Sequence, residues 1–88
     1  MELTEYKKLS LEFREELQQL ESDIEDVALG DIEDPAENKQ IIEDAREKLK
    51  LYDQYVETLE ARFVSDFKSD VQDVMEYIRQ QLEVVGRS

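Results

Sequence analysis

The segment 34–63 constrains the fold of this chain more than any other part of the sequence. After Pro35 it contains no glycine or proline, and apolar residues recur at alternating intervals of three and four positions. Apolar residues spaced in this way line one side of an α-helix, and such a seam is stabilised by packing against another helix. The segment therefore predicts a long helix with a partner helix, and its seam is Ile42, Ala45, Leu49, Tyr52, Val56, Leu59 and Phe63.

The start of this helix is marked by three residues that each favour a helix N-terminus. Asp34 can accept hydrogen bonds from free backbone N–H groups, and Pro35 has the φ angle that the first helical position needs. Glu37 places a negative charge at the positive end of the helix dipole. We therefore predict a helix over 35–65, preceded by a loop over 29–34.

An earlier heptad seam predicts a first helix over 4–28. Thr4 is a suitable N-cap, and Gly30 is well placed to end the helix in a left-handed conformation. The seam is apolar except for one serine, and it consists of Leu3, Tyr6, Ser10, Phe13, Leu17, Leu20, Ile24 and Val27. A short loop between two long helices predicts an antiparallel hairpin. Aligned around that loop, the two seams predict the pairs Leu20–Leu49, Leu17–Tyr52, Phe13–Val56 and Tyr6–Phe63.

The seam of the second helix is interrupted at Asp66 and resumes one residue out of phase. In one interpretation the helix breaks near 65–69, and Ser69 opens a capping box for a third helix over 69–86 that folds back. In the other, the helix continues to Val85 and extends beyond the hairpin. The absence of glycine and proline from this part favours continuity, whereas the phase slip and the capping box favour a break. Both interpretations stay open, with a slight preference for the break.

Both interpretations give an all-α protein, with an antiparallel helical hairpin plus a third helical segment. The arrangement is either a three-helix bundle or a long-helix dimeric bundle, and 88 residues suffice for one small domain over 1–88. The apolar face of the third segment is wider than a contact between two helices needs. We interpret this face as a partner-binding surface, formed by Phe67, Val71, Val74, Met75, Tyr77, Ile78, Leu82 and Val85.

The composition excludes several kinds of functional site. The chain has no cysteine and no histidine, which removes the commonest general base and the usual thiolate and imidazole metal ligands. The acidic segment 21–37 does not fit the EF-hand loop, which requires glycine at its sixth position and glutamate at its twelfth. A carboxylate-bridged metal pair inside a helical bundle normally includes histidines. We therefore predict a protein that is not an enzyme and has no catalytic, metal-binding or cofactor-binding residues.

The charge balance bears on the partner and on the location. The chain has 24 acidic and 11 basic residues, a formal net charge of −13. Direct binding to nucleic acid or to anionic membranes is disfavoured because both depend on lysine and arginine, whereas a basic protein partner is favoured. The first residues lack the features of a signal peptide, and no apolar run approaches the length of a bilayer span. The cytoplasm is therefore the expected location.

The segment from Asp34 to Leu59 resembles the N-terminal helical domain of class 1 peptide-chain release factors. The similarity lies in the Asp-Pro helix start and in the Leu/Tyr/Tyr seam, which follow a heptad helix and a short acidic loop, and it covers about a third of the chain. The Gly-Gly-Gln motif that gives that family its activity is absent, because the chain contains only two isolated glycines. The resemblance therefore implies a helical hairpin and no activity.

Two functions follow as hypotheses. The first is a protein–protein interaction or assembly module, as a homodimer or part of a hetero-complex, which buries the 67–85 face against a partner helix while its acidic faces select the partner by charge. The second is an acidic inhibitor or regulator that mimics nucleic acid and occupies a basic site on a partner protein. A third explanation is that the acidity serves solubility or salt adaptation and carries no information about a partner.

Overall fold

The computed structural model describes residues 2–86, which form α1 (Leu3–Leu29), α2 (Pro35–Thr58) and α3 (Ala61–Gly86). The chain reverses direction at each connection, so α1 and α3 run parallel and α2 runs antiparallel to both. Near the start of both parallel helices, the rings of Tyr6 and Phe63 stack with their centroids 4.5 Å apart. The result is an elongated bundle of about 44 × 20 × 17 Å. The predicted all-α, three-helix arrangement is confirmed.

The second helix ends earlier than the sequence predicted. It ends at Thr58 instead of 65, and α3 begins at Ala61 instead of 69. The predicted break therefore exists, but its position was wrong, and the residues of the predicted capping box at 69–72 lie inside α3. The physical reason is that Phe63 is a buried residue of α3. The buried face of α3 begins with this ring and continues through Phe67 to Ile78, so the chain must leave α2 before Phe63 for the whole face to pack against α1 and α2.

The break itself consists of Leu59 and Glu60. Leu59 has a φ of −67°, which is close to the helical value, but a ψ of 148°, which turns the chain out of α2. After the turn, the Phe63 N–H donates a hydrogen bond to the Glu60 carbonyl oxygen at 2.8 Å, within the first turn of α3. The guanidinium of Arg62 pairs with the Glu60 carboxylate at 2.8 Å and lies 4.4 Å from the centre of the Phe63 ring.

The principal partner of α1 is α3, and α2 takes a smaller share of the contact with α1. The predicted pairing of Tyr6 with Phe63 is confirmed, although Phe63 belongs to α3 and not to α2. The ring of Phe13, which the alignment of seams pairs with Val56, lies 5.2 Å from the ring of Tyr55 and 5.6 Å from that of Phe67. The third helix therefore covers much of the surface of α1 that the predicted hairpin assigned to α2.

All three helices meet at Phe67. Its side chain is fully buried, and its ring centroid lies 5.6 Å from Phe13 of α1 and 5.7 Å and 5.8 Å from Tyr52 and Tyr55 of α2. Aromatic pairs at such distances stabilise a protein beyond their burial alone. The rest of the core extends from this cluster along the bundle, and it is formed by Tyr6, Leu17, Leu20, Ile24, Ile41, Ala45, Phe63, Val71, Met75 and Ile78.

We expect the substitution Phe67→Ala to lower the free energy of unfolding by about 3–5 kcal/mol, because it removes a large buried ring and leaves a cavity between three helices. Urea unfolding followed by circular dichroism measures this loss. The matched control is Leu11→Ala, which removes an apolar side chain that is 59% exposed, and its effect stays within about 0.5 kcal/mol. A loss below about 1 kcal/mol for Phe67→Ala would contradict this description of the core.

Candidate interaction surfaces

The apolar face that the sequence analysis assigned to a partner is largely covered by the chain itself. Four of its eight residues are at most 3% exposed, so they offer no surface to a partner in this fold: Phe67, Val71, Met75 and Ile78. This half of the predicted surface is covered because α3 folds back alongside α1. The other four are half-buried and pack against the edge of the core, and their role in binding stays a prediction: Val74, Tyr77, Leu82 and Val85.

A second candidate surface lies at the end of the bundle that carries the α1–α2 loop. We name the segment 21–37 the acidic end, because it contains eight carboxylates and neither lysine nor arginine. Three of the carboxylate residues are half-buried, namely Glu21, Asp23 and Asp26. The remaining five are exposed to solvent, namely Glu25, Asp31, Glu33, Asp34 and Glu37.

The backbone of the acidic end is fixed first by the end of α1. Gly30 has a φ of 75°, a left-handed conformation that glycine adopts without steric cost. The Gly30 N–H donates to the Val27 carbonyl oxygen at 3.2 Å, and the Asp31 N–H donates to the Asp26 carbonyl oxygen at 3.0 Å. These bonds satisfy carbonyl groups that the last turn of a helix otherwise leaves free. They also set the direction in which the loop leaves α1.

The start of α2 fixes the other side of the loop. The Asp34 carboxylate accepts a hydrogen bond from the Ala36 N–H at 3.0 Å, as the sequence predicted for an N-cap. The side-chain amide of Asn38 donates to the Ile32 carbonyl oxygen at 3.1 Å, which ties the loop to α2. The exposed carboxylates of the loop are therefore carried by a backbone that is held at both ends.

The helix dipoles reinforce the negative charge of the acidic end. Because α1 and α3 are parallel, the negative C-terminal ends of both helices lie at this end of the bundle, against the positive N-terminal end of α2 alone. Neither α1 nor the described part of α3 has a basic residue in its last turn. The opposite end is less acidic, because residues 2–14 contain three acidic and three basic residues and residues 53–70 contain five acidic and two basic residues. The charge of the bundle is therefore polarised along its long axis.

Tyr77 borders the acidic end from α3. It is half-buried, and burial raises the pKa of its hydroxyl, which the nearby carboxylates of Glu25 and Glu21 raise further. The hydroxyl therefore stays protonated at neutral pH and can donate a hydrogen bond beside a group of acceptors. Sequence analysis did not reveal the proximity of Tyr77 to Glu21 and Glu25, because it depends on where the chain turns between α2 and α3.

Open grooves lie between the helices of the described residues. One groove, of about 400 Å³, lies between α1 and α2, and the Lys48 ammonium pairs with the Glu16 carboxylate there at 2.7 Å. Across residues 2–86, no group of three or more potential metal ligands is arranged to hold an ion. Within the same range, no helix has the length and apolar character that crossing a membrane requires.

Comparison of the chain with protein-family models, with curated proteins and with solved structures found no match. The candidate surfaces therefore rest on the geometry and the charges of this chain.

We expect the double substitution Glu21→Gln and Glu25→Gln to lower the pKa of Tyr77, because it removes the two negative charges that disfavour the phenolate. The pKa stays above the ordinary value of 10.0, since burial, the larger cause, is unchanged. Titration of the Tyr77 ring carbons by NMR measures the shift. Glu12→Gln, an exposed site near the other end of α1, is the control.

The same titration bears on stability. The folded protein holds the Tyr77 proton more tightly than the unfolded chain, so the free energy of unfolding falls as the pH rises above the ordinary tyrosine pKa of 10.0. A Tyr77 pKa that is unaffected by the double substitution would show that the acidic end does not extend to this side chain.

Proposed function

We propose that this protein is a non-enzymatic interaction module whose acidic end binds a basic site on a partner protein. The observation that supports this proposal is the polarised charge: eight carboxylates and two helix C-termini lie at one end of the bundle. Such a concentration attracts a lysine- or arginine-rich surface from a distance and orients the two proteins before contact.

The covering of the apolar face favours charge over apolar burial as the source of specificity. The buried apolar residues of α3 are used within the chain, so a partner at this end meets mainly carboxylates, the exposed Leu29 and Val84, and a few half-buried apolar side chains. Among the half-buried side chains, Tyr77 is the best suited to contact a partner, because tyrosine combines an apolar ring with a hydroxyl donor and is enriched at interfaces. Binding of this kind is fast and weakens with added salt.

Mimicry of nucleic acid is the second candidate function. A DNA duplex carries one negative charge per about 1.7 Å of its axis, evenly along its length. This chain is elongated and acidic, but residues 2–14 are balanced in charge while residues 21–37 are purely acidic. The uneven distribution of charge supports docking through one end of the bundle. It argues against imitation of a duplex along the whole length of the bundle.

The test compares the native chain with an acidic-end variant that carries Glu25→Gln, Asp31→Asn, Glu33→Gln and Glu37→Gln. The matched control carries Glu5→Gln, Glu12→Gln, Glu47→Gln and Glu57→Gln, which remove the same number of exposed charges outside the acidic end. Each immobilised protein captures partners from native lysate at about 50 mM salt, and a salt gradient elutes them. We expect basic proteins that elute with salt, at least about tenfold depleted on the acidic-end variant and retained on the control.

Captured partners that are not basic and that survive high salt would contradict the proposal. So would partners that the acidic-end variant retains as well as the control does. Displacement of the partner by added duplex DNA, with equal losses on both variants, would instead favour mimicry of nucleic acid.

A further inference from the structure

The connection between α2 and α3 is short. Only Leu59 and Glu60 separate the two helices. The φ of Leu59 is −67°, and its N–H donates to the Tyr55 carbonyl oxygen at 2.9 Å, four residues earlier, as it does in an α-helix. Leu59 departs from helical geometry in its ψ angle, which is 148°. Rotation of that angle to about −42° returns Leu59 to the helix and redirects the chain that follows.

The local sequence favours the continuous helix. No glycine or proline occurs between Ala36 and Val85, and leucine, glutamate and alanine, the residues at 59–61, all have high helix propensity. A fused helix from Pro35 to Gly86 has a length of about 78 Å at 1.5 Å per residue. Local preferences therefore do not enforce the turn, and the packing of α3 against α1 and α2 maintains it.

A single chain cannot adopt the fused helix without exposing its core. Phe67, Val71 and Ile78 are fully buried in the bundle, and straightening the connection would carry all three into solvent. The pair of α1 and α2 would lose the apolar surface that covers it. A second copy with the same fused helix supplies an α3 that fits this surface residue for residue.

We propose that the chain also forms a dimer in which two copies exchange α3 through straightened Leu59–Glu60 connections. A two-fold axis beside the connection lets α2 of one copy continue into the position of α3 in the other, in the same direction as in the closed bundle. Each half of the dimer then contains α1 and α2 of one copy and α3 of its partner. Every contact of the core is reproduced, so that only the connection changes.

The charge distribution is compatible with this assembly. The two copies meet at the end of the bundle where the connection lies, which is the less acidic end: residues 2–14 balance three acidic against three basic residues, and residues 53–70 contain five acidic and two basic residues. The acidic ends lie at the far ends of the dimer, where like-charge repulsion is weakest. The exchange therefore presents two acidic ends on one particle, and it does not depend on the existence of a basic partner.

Distance measurement on spin-labelled protein tests the exchange directly, because the chain has no native cysteine to interfere. Labels at Lys39→Cys and Glu83→Cys occupy exposed sites near the start of α2 and the end of α3. In the closed bundle both labels lie at the same end, within about 25 Å including the linkers. In a fused helix they lie about 66 Å apart. The labelled chain is diluted with excess unlabelled chain, so that only the distance within one chain is recorded.

We expect refolding at about 1 mM to give a dimer fraction, separable by size-exclusion chromatography, in which the long distance replaces the short one. Ala61→Pro reduces that fraction at least tenfold, because proline suits the first residue of α3 but removes a hydrogen bond and clashes inside a fused helix. The control Ala61→Ser keeps the backbone N–H and dimerises like the native chain. If Ala61→Pro does not fold, a Gly-Ser-Gly-Ser insertion after Leu59 replaces it, since it also breaks the fused helix.

Three results would overturn the proposal. They are the absence of a dimer after refolding at about 1 mM, a dimer that shows only the short distance, and a dimer fraction that is unchanged by Ala61→Pro or by the insertion.

Discussion

The structure depends on the packing of Phe67 against aromatic rings from both other helices. Phe13 approaches it from α1, and Tyr52 and Tyr55 approach it from α2. For Phe67 to reach this position, α3 must turn back along the hairpin, and the chain must leave α2 before Phe63. The parallel arrangement of α1 and α3 follows from that turn. One aromatic cluster therefore determines the topology of the bundle and the direction of its helix dipoles.

This topology decides which surface remains for a partner. The same turn that buries the apolar face of α3 brings the C-terminal ends of α1 and α3 to the loop that carries Asp31 and Glu33. The chain thus buries the apolar face of α3 against its own helices and concentrates negative charge at one end. The proposed binding by charge and the proposed self-association by exchange of α3 involve different parts of this arrangement. The first uses the acidic end, and the second uses the opposite end.

Sequence reasoning succeeded at two of its local signals, whereas Thr4, the predicted N-cap of α1, lies inside a helix whose N-cap is Glu2. Asp34 caps α2 through the Ala36 N–H, and Gly30 ends α1 in a left-handed conformation, because both depend on a few neighbouring backbone groups. The position of the second turn was not predictable in this way. Leu59 and Glu60 favour a helix, and the turn there is maintained by packing of distant residues. The face of α3 was therefore assigned to a partner, and the proximity of Tyr77 to the acidic end was missed.

The central claim is that the apolar face of α3 is covered by α1 and α2. The most direct test is a nuclear Overhauser measurement on the ring protons of Phe67 in the native protein. We predict strong cross-peaks to the ring protons of Phe13 on α1 and of Tyr52 and Tyr55 on α2, as centroid distances of 5.6–5.8 Å require. Cross-peaks from Phe67 to residues of α3 alone would contradict the account, because they would leave its apolar face uncovered.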